Sequence, residues 1–212
     1  PTPPRFPFLC LTVSGGHTMI VLVKDYFDME IIGKTIDDAA GEAFDKIGKI
    51  FDLDYPAGPI VDRLAKDGNP DAFQFNKPKM EAYDYSFSGI KTSVLYFIQK
   101  EVRKDPDFIK DNLNDLCASV QKSIIEILMD KLEKAAKELN IKDIAIAGGV
   151  SANSGLRQYM EANREKLGWN IFIPKFEYTT DNAAMIAMVA KLKYERGEFT
   201  DIRTTATAKY DL

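Results

Sequence analysis

The stretch from Asp143 to Met160, Asp-Ile-Ala-Ile-Ala-Gly-Gly-Val-Ser-Ala-Asn-Ser-Gly-Leu-Arg-Gln-Tyr-Met, constrains the fold more than any other. Ile144 to Ala147 is a short apolar run, Gly148-Gly149 interrupts it at once, and Leu156, Met160 and Leu167 then recur at helical spacing. The pattern is strand, glycine turn, helix. Lacking Cβ atoms, Gly148 and Gly149 let a ligand approach the main chain, and Ser151, Asn153 and Ser154 place short polar side chains where free helix N–H groups point. Such a unit is either one wall of a nucleotide or phosphate site or an ordinary strand-to-helix turn with an Asn or Ser cap, and these residues alone leave both open.

The rest of the chain supplies a second turn of the same kind. Residues 6–13 and 19–23 are apolar runs joined by Ser14-Gly15-Gly16-His17-Thr18, a hairpin pattern followed by a third strand over 30–36. A turn this small and polar either wraps N–H groups around a phosphate or is a plain hairpin turn. Helical spacing covers 37–51 (Ala40, Phe44, Ile47 and Phe51 on one face), where Asp45 is most simply a surface partner of Lys49. A short helix over 60–66 has Pro59 in its first turn and Asp62 as a surface acid. Residues 69–87 read as an insertion loop with room for one hairpin. Ser88 then caps a helix over 90–102, in a Gly-Lys-Thr context that lacks P-loop spacing. A long helix runs from Leu113 to about Asn140 and another over 154–167; a strand over 170–173 and a helix capped by Thr179 or Thr180 complete the order. Residues 198–212 form an aperiodic tail.

This order of three strands, helices, then strand-helix-strand-helix gives an α/β chain with a mixed sheet flanked by helices. Its three polar turns at strand ends can share a site, because ligands of open α/β sheets bind beyond the strand ends. At 212 residues, 45% hydrophobic and 28% charged, the chain can bury one sizeable core. No run approaches the roughly 18 apolar residues that span a bilayer, and residues 1–5 lack the apolar core of a signal peptide, so a cytoplasmic protein without a membrane is expected. Cys10 and Cys117 fit buried free thiols. A net charge of −4 argues against autonomous capture of nucleic acid. His17 is the only histidine.

Six segments then resemble, in order, the motifs of the tRNA N6-adenosine threonylcarbamoyltransferase family, the bacterial TsaD proteins and their archaeal and eukaryotic counterparts. They are Val13-Ser14-Gly15-Gly16-His17-Thr18, the run Asp37 to Lys46, Asp54-Tyr55-Pro56 with Gly58-Pro59, Phe87-Ser88-Gly89-Ile90-Lys91-Thr92, Ala147 to Asn153, and Thr180 to Ala187. The resemblance implies a ribonuclease-H-like lobe of the actin, Hsp70 and sugar-kinase superfamily over residues 1–197, with a helical insertion near 56–112. It implies transfer of a threonylcarbamoyl group from threonylcarbamoyl-AMP to N6 of adenine 37 in tRNAs reading ANN codons. On the family pattern Thr12, Val13, Ser14, Gly15 and Gly16 line the adenylate, Asp45 and Asp62 bind ribose hydroxyls, and Gly58, Gly148, Gly149 and Asn153 contact the nucleotide. Asp181 is the matching metal ligand, and no catalytic residue is assigned.

The family's divalent metal, iron or zinc, is held by a His-x-x-x-His pair lying upstream of the Ser-Gly-Gly-His turn, a pair this sequence does not contain. The expectation is therefore a C-terminal lobe without its N-terminal lobe, unable to hold the metal or transfer the group alone, and prone to self-association through apolar surface the other lobe would cover. The expected partners are tRNA, threonylcarbamoyl-AMP and, in a bacterium, TsaB-like and TsaE-like proteins. An ATPase or sugar-kinase-like phosphotransferase lobe and a non-catalytic scaffold paralogue are the competing readings.

Overall fold

The computed structural model describes residues 3–78 and 80–207, so the last residues of the tail expected over 198–212 lie outside the described residues. The opening apolar runs form β1 (Phe8–Val13), β2 (Thr18–Asp25) and β3 (Asp28–Lys34). In β1 alternation buries Leu9, Leu11 and Val13 completely and leaves Phe8, Cys10 and Thr12 half-buried on the opposite face. The helices α1 (Ala40–Ile50), α2 (Ala57–Ala65), α3 (Ser88–Val102), α4 (Phe108–Asp111) and α5 (Leu113–Glu138) follow, then β4 (Asp143–Ala147), α6 (Ser154–Leu167), β5 (Asn170–Phe172) and α7 (Ala183–Glu195).

The strands pair in the order β3-β2-β1-β4-β5, and only β2 is antiparallel to its neighbours. Short hairpins force the antiparallel pairings, while β4 and β5 are each reached through a helical crossover and so lie parallel to β1. This is the ribonuclease-H-like arrangement expected from the sequence. Its consequence for function is directional: β1, β4 and β5 all end at the same edge of the sheet. A single hydrophobic cluster joins Leu11 and Ile144 of the sheet to Phe44 of α1, Ile90 and Val94 of α3, Leu128 of α5 and Met160 of α6, so the helices within 56–112 share the core of the sheet. Cys10 and Cys117 are free, and burial pushes the Cys117 thiol up to about 12 and raises that of Cys10 as well. Among the described residues no helix is long and apolar enough to cross a membrane.

Several local expectations are corrected. Among the described residues of 69–87 there is no hairpin, and the one ladder contact is an isolated parallel bridge between Thr35 and Tyr85. Pro70 and Pro78 cannot donate to a ladder, and Phe73 and Phe75 turn inward against Phe97 and Phe108. Helix α2 starts at Ala57, earlier than expected, behind Pro56. Asp45 does not pair with Lys49; its carboxylate accepts from the first turn of α2. The cap of α7 is Asn182, whose side chain accepts from Met185 N, because Thr179 is turned back to the Phe176 carbonyl.

Ser88 is not a cap either. It is the first residue of α3, and the acceptor at that helix start is Asp37, which takes bonds from Ser86 Oγ (2.6 Å), Phe87 N (2.8 Å) and Ser88 Oγ (2.7 Å). Asp37 thus stays outside α1 and ties the β3–α1 junction to α3. Burial alone would raise its carboxyl, but the bonds from Ser86, Phe87 and Ser88 outweigh that and hold it below the ordinary carboxylate value. A depressed folded value means that the carboxylate stabilises the fold above the unfolded pKa of about 3.9 and ceases to do so as pH falls through the lower folded value. Urea titrations at stepped pH should accordingly find Asp37→Asn less stable than wild type at pH 7, with the gap closing below about pH 3.9. A pH-independent gap would remove the charge from this account.

Helix α7 is exposed along most of its length. None of its residues is buried, and Ile186 and Met188 are 74% and 58% exposed. Its C-terminal end meets the β2–β3 turn, where Lys193 and the following Arg196 lie over the Phe27 ring and Arg196 pairs with Asp25 at 3.4 Å.

Candidate functional site

The sheet edge where β1 and β4 end is built from backbone in direct contact. Thr12 pairs with Ala147 in the parallel ladder, so the turns that follow start side by side. Gly148 sits at φ +89°, and a Cβ there would overlap the Val13 carbonyl oxygen and lie 2.8 Å from its carbon. Only glycine can occupy that position without moving β1. Helix α1 approaches from the other side: Gly41 N donates to Ser14 O at 3.1 Å, and a Cβ on Gly41 would stand 2.7 Å from that oxygen. Thr18 Oγ1 meanwhile accepts from Ala40 N at 2.9 Å, closing the start of α1 onto the hairpin.

The Ser14–His17 turn is internally tied. Ser14 Oγ accepts from Gly16 N at 3.3 Å and His17 N at 3.0 Å, and Ser14 N donates to His17 O at 2.7 Å. Gly15 and Gly16 are exposed, with open space where their Cβ atoms would be. The surface offered to a ligand is therefore the bare backbone of these two glycines rather than a ring of free N–H groups.

Two aspartates form the neighbouring wall in the same way. Asp45 Oδ1 accepts from Ala57 N at 2.8 Å and Gly58 N at 3.4 Å, so α1 caps α2. Asp62, carried by α2, accepts through Oδ1 from Ser154 N at 3.0 Å and Ser154 Oγ at 2.8 Å, so α2 caps α6. Helix N-termini favour such negative groups. In both carboxylates Oδ2 has no partner among the described residues and is available to a hydroxyl donor. Asn153 completes the wall. Its Oδ1 accepts from Leu156 N at 2.9 Å as the cap of α6, and its Nδ2 donates to Gln121 Oε1 on α5 at 2.7 Å.

Of the residues singled out in the sequence, Val13, Ser14 and Gly148 are in one cluster with Thr12, Gly15, Gly16 and Gly149 adjoining along the chain, Asp45 meets Gly58, and Asp62 meets Ser154 beside Asn153. Asp181 is exposed and has no hydrogen-bond partner among the described residues. No group of three or more His, Cys, Asp or Glu among them is placed to hold a metal ion. The donors present do not fit a resident metal.

Sequence reading missed two polar residues here. Gln121 is the amide beside an apolar stripe of Leu116, Val120 and Ile124, a break in pattern that would have marked it. Arg157 donates to Ser151 O at 2.7 Å and Pro174 O at 3.0 Å, fastening the glycine turn after β4 to the loop after β5; a lone arginine on a helix gave no such signal. Ser151 Oγ is buried without a partner among the described residues.

A family model described as TsaD: tRNA N6-adenosine threonylcarbamoyltransferase matches residues 1–188. A tRNA N6-adenosine threonylcarbamoyltransferase of Riemerella anatipestifer is 80% identical over 212 residues, which are 100% of this chain and 62% of that protein. One of Christiangramia forsetii is 58% identical over 207 residues, 98% of this chain and 61% of the relative. The chain thus spans about three fifths of the length of these relatives. The activator of the 2-hydroxyisocaproyl-CoA dehydratase from Clostridium difficile, solved with bound ADPNP, aligns with a TM-score of 0.48 at 15% identity over 95% of this chain and 66% of that one. With the family model covering most of its residues and such relatives matching it end to end, the chain belongs to the tRNA N6-adenosine threonylcarbamoyltransferase family.

Proposed function

We propose that this chain is the adenylate-holding part of a cytoplasmic enzyme that transfers threonylcarbamoyl from threonylcarbamoyl-AMP to N6 of adenine 37 in tRNAs reading ANN codons. The reaction is acyl transfer from a mixed anhydride. The N6 amine attacks the carbamoyl carbon, a C–N bond forms as the bond to the phosphate oxygen breaks, AMP leaves, and N6 loses a proton. The protein's task is to hold the adenylate rigidly while the base is presented in line. The observation that carries this reading is the contact of Gly148 with the Val13 carbonyl, which sets two glycine turns side by side at one sheet edge.

In this reading the phosphate lies against Thr12 to Gly16 and Gly148-Gly149, where Gly15, Gly16 and Gly149 have no Cβ to keep it at a distance. The free Oδ2 atoms of Asp45 and Asp62 accept from the ribose hydroxyls, each carboxylate being aimed by the helix start that its Oδ1 caps. Gly58 and Asn153 complete the nucleotide contact. Asp181 would supply one ligand to an iron or zinc ion in the intact protein, the remaining ligands coming from elsewhere. TsaB-like and TsaE-like proteins are the proposed partners.

Titration of the intact protein with a threonylcarbamoyl-AMP analogue tests this. Losing a hydrogen bond to a charged acceptor costs about 1.5–3 kcal/mol, so Asp45→Ala and Asp62→Ala should each weaken binding roughly 10- to 100-fold. The 212 residues alone should give no modified tRNA. Unchanged affinity in both variants, or product from the 212 residues alone, would refute the proposal.

A further inference from the structure

Gln121 and Asn153 are each 8% exposed, and they face each other across the α5–α6 interface. Which atom of each amide faces which neighbour follows from one fixed donor. Leu156 N can only donate, so the atom of Asn153 it meets at 2.9 Å must be Oδ1. That turns Nδ2 toward Gln121, which must present Oε1 in return. An α-helix cap needs only an acceptor. The second amide is therefore superfluous for capping, and a buried glutamine beside Val120 and Ile124 is a costly way to fill space.

We infer that Gln121 is a positioning residue for the adenylate site, fixing the amide plane of Asn153 so that its remaining Nδ2–H points outward as a donor. The inference rests on the proposed nucleotide site. With Oδ1 held by Leu156 N and one Nδ2 hydrogen held by Gln121, the amide cannot rotate or exchange its ends without breaking both bonds. Gln121 is itself held in place by a glycine. A Cβ on Gly155 would stand 2.7 Å from Gln121 Nε2 and 3.1 Å from its Cδ, so the side chain lies flat across the first turn of α6 where any larger residue would displace it. Gln121 and Gly155 also line an open groove of about 410 Å³ between α5 and α6, from which water can satisfy Nε2.

The test uses AMP as the probe, with the intact protein, calorimetric affinity and thermal midpoint measured together. Gln121→Met keeps the volume and removes the acceptor; it should weaken AMP binding by about tenfold, the worth of one misdirected hydrogen bond. Gln121→Glu keeps an acceptor oxygen toward Asn153 and should restore affinity to within about threefold. Gly155→Ala alters no donor or acceptor but crowds the Gln121 amide, and should fall between the two, which keeps the inference testable if Gln121→Met does not fold. A structural role alone would lower the thermal midpoint of Gln121→Met and leave its AMP affinity at the wild-type value, and that result overturns the inference while the nucleotide site stands. Wild-type protein that fails to bind AMP overturns both.

Discussion

Gly148→Ala should cost about 3–5 kcal/mol of folding stability. Two effects combine. The residue sits at φ +89°, a conformation that penalises any side chain, and the new methyl would enter the space of the Val13 carbonyl. Neither partner can yield, since both are main chain and Val13 is wholly buried in a strand paired on both sides. Denaturant unfolding reads the loss directly. The neighbouring Gly149→Ala is the control, because a Cβ there meets nothing within 4 Å, and it should cost less than about 1 kcal/mol. Equal costs at the two positions would show that glycine is not needed at 148 for the approach of the two turns.

Asn153→Ala is expected to lose about 1.5–5 kcal/mol. Removal of a cap acceptor costs about 0.5–2 kcal/mol, and stranding Gln121 Oε1 in a buried site adds about 1–3 kcal/mol. Asn153→Asp separates stability from binding. An aspartate still caps α6 and suits a helix start, and Gln121 can rotate its amide to donate where it formerly accepted. Chemical unfolding should therefore place Asn153→Asp within about 1 kcal/mol of wild type. Its nucleotide affinity should fall nonetheless, since the outward donor has become an acceptor. If Asn153→Asp instead binds nucleotide like wild type, the amide donor has no part in recognition.

The parts of this molecule that were legible in the sequence are those encoded within a few residues. Ile144 to Ala147 followed by Gly148-Gly149 announces a strand and a turn, and the hairpin around Gly15-Gly16 is equally local. Asp45 and Asp62 were legible only as acids on helical surfaces, because their partners are helix starts elsewhere in the chain; Asp62 meets Ser154 at a separation of 92 residues. Asp37 fitted the periodicity of α1, yet its carboxylate closes α3, 50 residues on. The segment 69–87 misled because its aromatics resemble strand residues, and nothing local says that Phe73 and Phe75 pack on helices. Periodicity likewise identified α7 as a helix without saying whether anything covers it.

Helix α2 is pinned at its front by Asp45 and holds α6 through its own Asp62. One short helix therefore joins two helix starts, so sliding it along its axis would lengthen the Asp45 and Asp62 hydrogen bonds together.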